Sequence, residues 1–142
     1  MISIKKDNDF IREILKSQEG IQLDFKQGIS NQSKIAKTIA AFANTKGGKL
    51  VIGISDKKQL IGIDAEEEMF MIEQANQKHL LPSVELSFEI FEVDYIDDEK
   101  LPEEKFVLVV TILESNQKPH LHTENETNTL YIRDQDRSIP SI

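Results

Sequence analysis

Apolar residues recur along this chain in two rhythms, one of three to four residues and one of two. Phe10, Ile11, Ile14 and Leu15 share one face, which predicts a short amphipathic helix over residues 9–16 capped by Asp7, Asn8 or Asp9. Gly20 ends it. Ile21, Leu23 and Phe25 then alternate with Gln22, Asp24 and Lys26, the pattern of a strand with one buried face. That pattern puts Asp24 on the polar side. A loop over 28–31 offers Ser30 and Asn31 as caps for a second helix. Its apolar stripe is Ile35, Ile39, Phe42 and Ala43, with Lys34, Lys37 and Lys46 lying away from it.

Gly47-Gly48 stops this helix, and residues 49–55 read as a strand covered on both faces. Residues 56–59 turn the chain back into a hairpin partner at 60–63. Asp64-Ala65-Glu66-Glu67 matches a capping box, opening a third helix to about His79 with Met69, Ile72 and Ala75 near its inner stripe. Pro82 forces extension. Residues 84–96 form a long strand whose alternation slips between Ile90 and Phe91, which suggests a bulge. An acidic loop (97–104), a central strand (106–113), a polar turn (123–128) and a last strand (129–133) complete the order α-β-α-β-β-α-β-β-β. The expected fold is α+β, a single domain with a mixed, largely antiparallel sheet and about three helices.

The chain has 142 residues, enough for one domain with a real core, and no cysteine, which excludes disulfides and thiolate metal sites. The longest apolar runs, 50–54 and 106–113, are too short to span a bilayer, so no membrane partner is expected. The first residues turn charged at once and lack a signal-peptide core, which points to the cytoplasm. A net charge of −8 argues against a non-specific DNA binder. The charge is uneven, however. Residues 20–60 carry seven lysines against two acids, and residues 61–142 carry six bases against nineteen acids. A locally basic segment of this kind can form a polyanion-binding face, or simply a solvated lysine-rich surface.

Two segments carry more specific information. Glu19-x4-Asp24-Phe25-Lys26 opens the first strand, and Ala41-Phe42-Ala43-Asn44-Thr45-x-Gly47-Gly48 closes the second helix before a strand that leaves as Gly53-x-x-Asp56. Together they resemble the divergent AlbA-like domain of the Schlafen family, a nucleic-acid-binding module. The resemblance runs from about Glu19 to Arg133. It implies an N-terminal helix over 1–18, the AlbA-like domain over 19–137 and a tail over 138–142 with no evident anchor. Family members continue further, so the resemblance also implies a longer protein. The leading expectation is a DNA- or RNA-binding domain of a regulatory or targeting kind, with no cofactor required. Phosphate contacts would come from Lys26, Lys34, Lys37, Lys46, Lys49 and Arg133. Arg133 could equally lock an acidic residue. Asn44 reads as part of the helix-ending turn, and Phe42, Gly47, Gly48 and Gly53 as positions of close packing.

Schlafen proteins that cleave RNA are similar at Glu19, Asp24 and Asp56, with Asp24 replacing the more usual glutamate. If these three carboxylates converge they could hold Mg²⁺ or Mn²⁺ for phosphodiester cleavage. The competing reading makes Glu19 a solvated helix-end residue, Asp24 the partner of a nearby lysine and Asp56 a turn former. A third reading gives the acidic half to a protein partner or a homodimer. Residues 45–49 are no P-loop, because they join a helix to a strand and lack the required spacing. His120-Leu121-His122 places two imidazoles on one strand face, with no third ligand evident.

Overall fold

The computed structural model describes residues 2–141. Two sheets and three helices form an α+β fold. The first sheet has the order β1 (Ile4–Lys5), β5 (Leu86–Ile96), β6 (Glu99–Ile112), β3 (Gly48–Ile52), β2 (Leu23–Lys26). The outer pairs β1–β5 and β2–β3 are parallel, and the inner pairs β3–β6 and β5–β6 are antiparallel. The second sheet is antiparallel, in the order β4 (Leu80–Leu81), β7 (Leu121–Glu124), β8 (Thr127–Asp134), β9 (Arg137–Pro140). The helices are α1 (Asn8–Lys16), α2 (Gln32–Asn44) and α3 (Ala65–His79). Each begins at a side-chain cap from the expected set: Asp7, Asn31 and Asp64 accept from the backbone N–H groups of Phe10, Lys34 and Glu67.

The first sheet is buried on both faces. Leu50, Ile52, Ile90, Leu108 and Val110 meet Ile35, Ile39, Phe42 and Ile72 of α2 and α3 on one side. Val51, Ile54, Phe91, Val107 and Val109 meet Ile11 and Ile14 of α1 on the other. Double coverage also explains the slip at Ile90 and Phe91. The two residues point to opposite, equally apolar faces, in register with Leu108 and Val107. The irregularity itself lies further on, between Val93 and Tyr95. Each fully buried aliphatic or aromatic side chain here contributes about 1.5–3 kcal/mol.

Helix α2 is buried nearly all round, with Ala36, Ala40, Ala41 and Ala43 inaccessible beside Ile39 and Phe42. Its larger side chains fill the core under the first sheet together with Ala36, Ala40 and Ala43, and the helix also packs against β7, β8 and β9 of the second sheet. Gly47 (φ +72°) lets the chain turn out of α2. A Cβ there would stand 2.6 Å from the Ile112 carbonyl oxygen, and one at Gly48 would stand 2.7 Å from that of Gln22.

Several expectations are corrected. The first strand begins at Leu23, and Ile21 is exposed, because a bridge from Gly20 to Leu23 makes a tight turn there. Residues 60–63 form no strand, and only an isolated bridge joins Ile54 to Leu60. The acidic loop is largely strand: β5 and β6 continue to Ile96 and Glu99 around a tight turn. The segment expected to be unanchored is β9, paired with β8 from Arg137 to Pro140. Its last residue, Ile142, lies outside the described residues, as does Met1. No helix among the described residues is long and apolar enough to cross a membrane.

Candidate nucleic-acid interface

The N-terminal half of α2, the end of α3 and the second sheet enclose an open cleft of about 1100 Å³. Its bases are Lys26, Lys34, Lys37, Lys78, Arg133 and Arg137, and its acids are Asp24, Glu124, Glu126 and Asp136. Local geometry explains the lysines. Lys34 and Lys37 sit one turn apart on the helix face turned from the apolar core, and Lys78 sits in the last turn of α3. Among the described residues Lys34, Lys37 and Lys78 make no ion pair within 4 Å. The Lys37 ammonium lies over the Tyr131 ring, 5.3 Å from its centroid, an orientation that leaves its charge uncompensated.

Arg133 forms the floor and is almost fully buried. It donates to the carbonyls of Gly20 and Leu23, to the Ser138 hydroxyl and to Asp24 Oδ1 at 3.1 Å, with its guanidinium 4.7 Å from the centre of the Phe42 ring. It therefore locks an acidic residue and ties the two sheets together. Asp24 is not on a solvated face. It is 3% exposed, in register with Leu50 on the face covered by α2, and its Oδ2 lies 3.2 Å from Lys26 Nζ. Strand alternation identified the face correctly, but the second sheet covers it.

Glu19 accepts from the Phe25 N–H at 3.0 Å. Although the residue as a whole is exposed, partial desolvation of its carboxyl and then a hydrogen bond shared with Asp24 raise it above the usual range, against the opposing pull of the Phe25 N–H. Asp56 is exposed in the turn after β3. Glu19 and Asp24 are thus neighbours. Among the described residues, however, the three carboxylates are not a group whose oxygens all lie within 4.8 Å of one another; the one such group is His79, His122 and Glu124.

Lys46 and Lys49 are not in the cleft. Lys46 is exposed in the turn after α2, where its carbonyl accepts from Gln22. Lys49 points to the α1 side of the first sheet and donates to Thr111 Oγ1 at 3.2 Å. Asn44 does more than end a helix. Its amide donates to the carbonyls of His120 and Tyr131, and its oxygen accepts from the His120 N–H at 2.8 Å, so it fastens the second sheet to α2. Gly53 (φ +116°) lies against the Phe106 carbonyl, a close approach as expected.

The two histidines expected on one strand face part company, because His120 precedes β7 and only His122 lies in it. His120 is held by Pro82 O and Ser115 Oγ. His122 lies edge-on to Tyr131 and parallel to His79, with its Nε2 2.9 Å from Ser33 O. Burial chiefly lowers the His122 pKa, with nearby Lys37 and His79 adding to it. Lys78, His79, Ser33, Glu124 and Arg137 were not singled out in the sequence. Two of them, Lys78 and His79, fall in the last turn of α3.

The family model described as Schlafen, AlbA_2 matches residues 19–141. The chain belongs to the Schlafen AlbA_2 family. An uncharacterised ATP-binding protein of Ureaplasma parvum is 42% identical over 52 residues, covering 34% of this chain and 15% of that protein. The crystal structure of the DIP2311 protein from Corynebacterium diphtheriae shares the fold with a TM-score of 0.54 at 20% identity, covering 92% of this chain and 25% of that one. The chain thus spans a quarter or less of the length of either relative. The Schlafen AlbA_2 match takes in β2, α2, β3 and all of the second sheet, and so every residue that lines the cleft.

Proposed function

We propose that this chain is a nucleic-acid-binding module that seats a phosphate backbone in the cleft between α2, the end of α3 and the second sheet. The observation that carries this reading is the convergence of Lys34, Lys37 and Lys78, without ion-pair partners among the described residues, on one open groove. The groove is far less acidic than the protein as a whole. Ammonium groups on helices position a backbone by charge and do not read sequence, so a backbone binder of broad sequence tolerance is the best fit. Among the described residues Tyr131 is the one tyrosine, phenylalanine or tryptophan lining the groove, beside the imidazole of His79, which gives little platform for base stacking. Family membership supports the same reading.

Metal-dependent RNA cleavage is the weaker reading. It needs Glu19, Asp24 and Asp56 on one Mg²⁺ or Mn²⁺. Asp24 is already committed to Arg133 and Lys26, and Asp56 is exposed in its turn. The ATP-binding designation of the Ureaplasma protein finds no echo in Thr45–Lys49, where the chain runs from helix to strand. The test is fluorescence anisotropy with labelled single-stranded RNA and duplex DNA. Lys34→Glu/Lys37→Glu/Lys78→Glu should abolish binding, and Lys46→Glu/Lys49→Glu should leave most of it. Equal loss in both variants, or no wild-type binding at about 50 mM salt, where such contacts are strong, would refute the reading.

A further inference from the structure

We propose that His79, His122 and Glu124 form a binding site for a divalent transition-metal ion of the zinc class. Their ligating atoms all lie within 4.8 Å of one another. The residues reach this spot from two elements. His122 and Glu124 are two apart on β7 and so share a strand face, and His79 comes from the last turn of α3. The imidazoles of His79 and His122 are parallel to within 4°, with centroids 5.6 Å apart.

The surroundings suit ligation. His79 Nδ1 lies 3.2 Å from the Thr123 carbonyl, and His122 Nε2 lies 2.9 Å from the Ser33 carbonyl. A ring nitrogen that donates to a carbonyl fixes the tautomer and leaves the other nitrogen of that ring as a lone-pair donor. Such second partners are the usual companions of metal-binding histidines. The Ser33 hydroxyl donates to Glu124 Oε2 and lies 3.1 Å from His122 Nε2, so Ser33 orients both the carboxylate and the ring from the side of the committed nitrogen.

Two imidazoles and one carboxylate are the donor set of an open zinc site, with a position left for water or another ligand. Imidazole selects against Mg²⁺ and Ca²⁺, which prefer oxygen, and so separates this site from the carboxylate trio by chemistry as well as by position. The site lies on the cleft wall near Lys34, Lys37 and Lys78, but metal uptake does not depend on the nucleic-acid reading.

The experiment is titration of chelator-treated protein with Zn²⁺ by calorimetry, repeated with Co²⁺ to read the visible absorption of the bound ion. Wild type should take up one equivalent, and Co²⁺ should show bands of a low-coordinate nitrogen and oxygen site. His79→Ala and Glu124→Gln alter side chains that are not buried and should fold normally. Each should weaken uptake by at least the roughly 10–100-fold that even outer-shell partners contribute. Glu126→Gln, in the adjoining turn, should bind as wild type does. No uptake by folded wild type, undiminished uptake by His79→Ala and Glu124→Gln, or an equal loss in Glu126→Gln would overturn the proposal.

Discussion

Arg133 and Asp24 are 109 residues apart in sequence, and their charged groups meet at 3.1 Å with both side chains almost fully removed from water. The pair joins β8 of the second sheet to β2 of the first beneath the Phe42 ring. Removing one member of a buried pair strands the other charge, which costs about 3–5 kcal/mol. Arg133→Ala and Asp24→Ala should each lose about that much in urea denaturation. The double variant Asp24→Ala/Arg133→Ala should lose less than the sum of the two. Simple additivity would show that the two groups do not act as a pair.

Asn44 offers a test of how the sheets are coupled. Its side chain satisfies the N–H and C=O of His120 and the C=O of Tyr131. Each polar group left unpaired costs about 1–3 kcal/mol when buried, so Asn44→Ala should destabilise by at least about 2 kcal/mol. Hydrogen exchange at the His120 amide should accelerate well before that at Val109 in β6. Uniform acceleration would mean that the second sheet does not open on its own.

Glu19 should titrate above its ordinary value of 4.5, since burial and the hydrogen bond shared with Asp24 both favour its neutral form. The folded state then holds this proton more tightly than the unfolded chain does. The Glu19 contribution to stability is accordingly greatest at low pH and declines as pH rises from about 4.5 through the raised value. Carboxyl NMR titration measures it directly. Asp24→Asn should move the Glu19 midpoint down part of the way, because burial remains. A wild-type midpoint at or below 4.5 would contradict the assigned contact.

RNA incubated with Mn²⁺ should remain intact in the presence of wild-type protein, and equally so with Asp56→Asn. Cleavage by wild type alone would favour the nuclease reading over the binding one. Equal cleavage by both would indicate a contaminant.

Much of the fold was legible in the sequence because local rules coincide with the tertiary result. Asn31 and Asp64 cap the helices they were expected to cap, and Ile35, Ile39 and Phe42 are buried as their spacing demands. The misses come from long-range coverage. Alternation places Asp24 opposite Phe25, but it does not show that a second sheet, nearly a hundred residues later, covers that face. Ile90 and Phe91 read as a slip because a doubly buried strand has no polar face against which to keep register. The basic cluster divided for a similar reason. Lys34 and Lys37 follow the exposed side of α2 into the cleft, whereas Lys49 is directed by the pleat of β3 to the α1 side. Lys78 and His79 reach the site only because α3 ends beside β7, which no local pattern records.

The most direct measurement is the salt dependence of oligonucleotide affinity for wild type and for Lys34→Glu/Lys37→Glu/Lys78→Glu. Each phosphate neutralised contributes about −0.9 to the slope of log K against log salt on duplex DNA and about −0.7 on a single strand. If the three lysines hold a backbone, wild type should show a slope of about −2 or steeper, and the variant should lose both affinity and slope. A variant that keeps the wild-type slope would place the phosphate contacts elsewhere and contradict the cleft as the binding site.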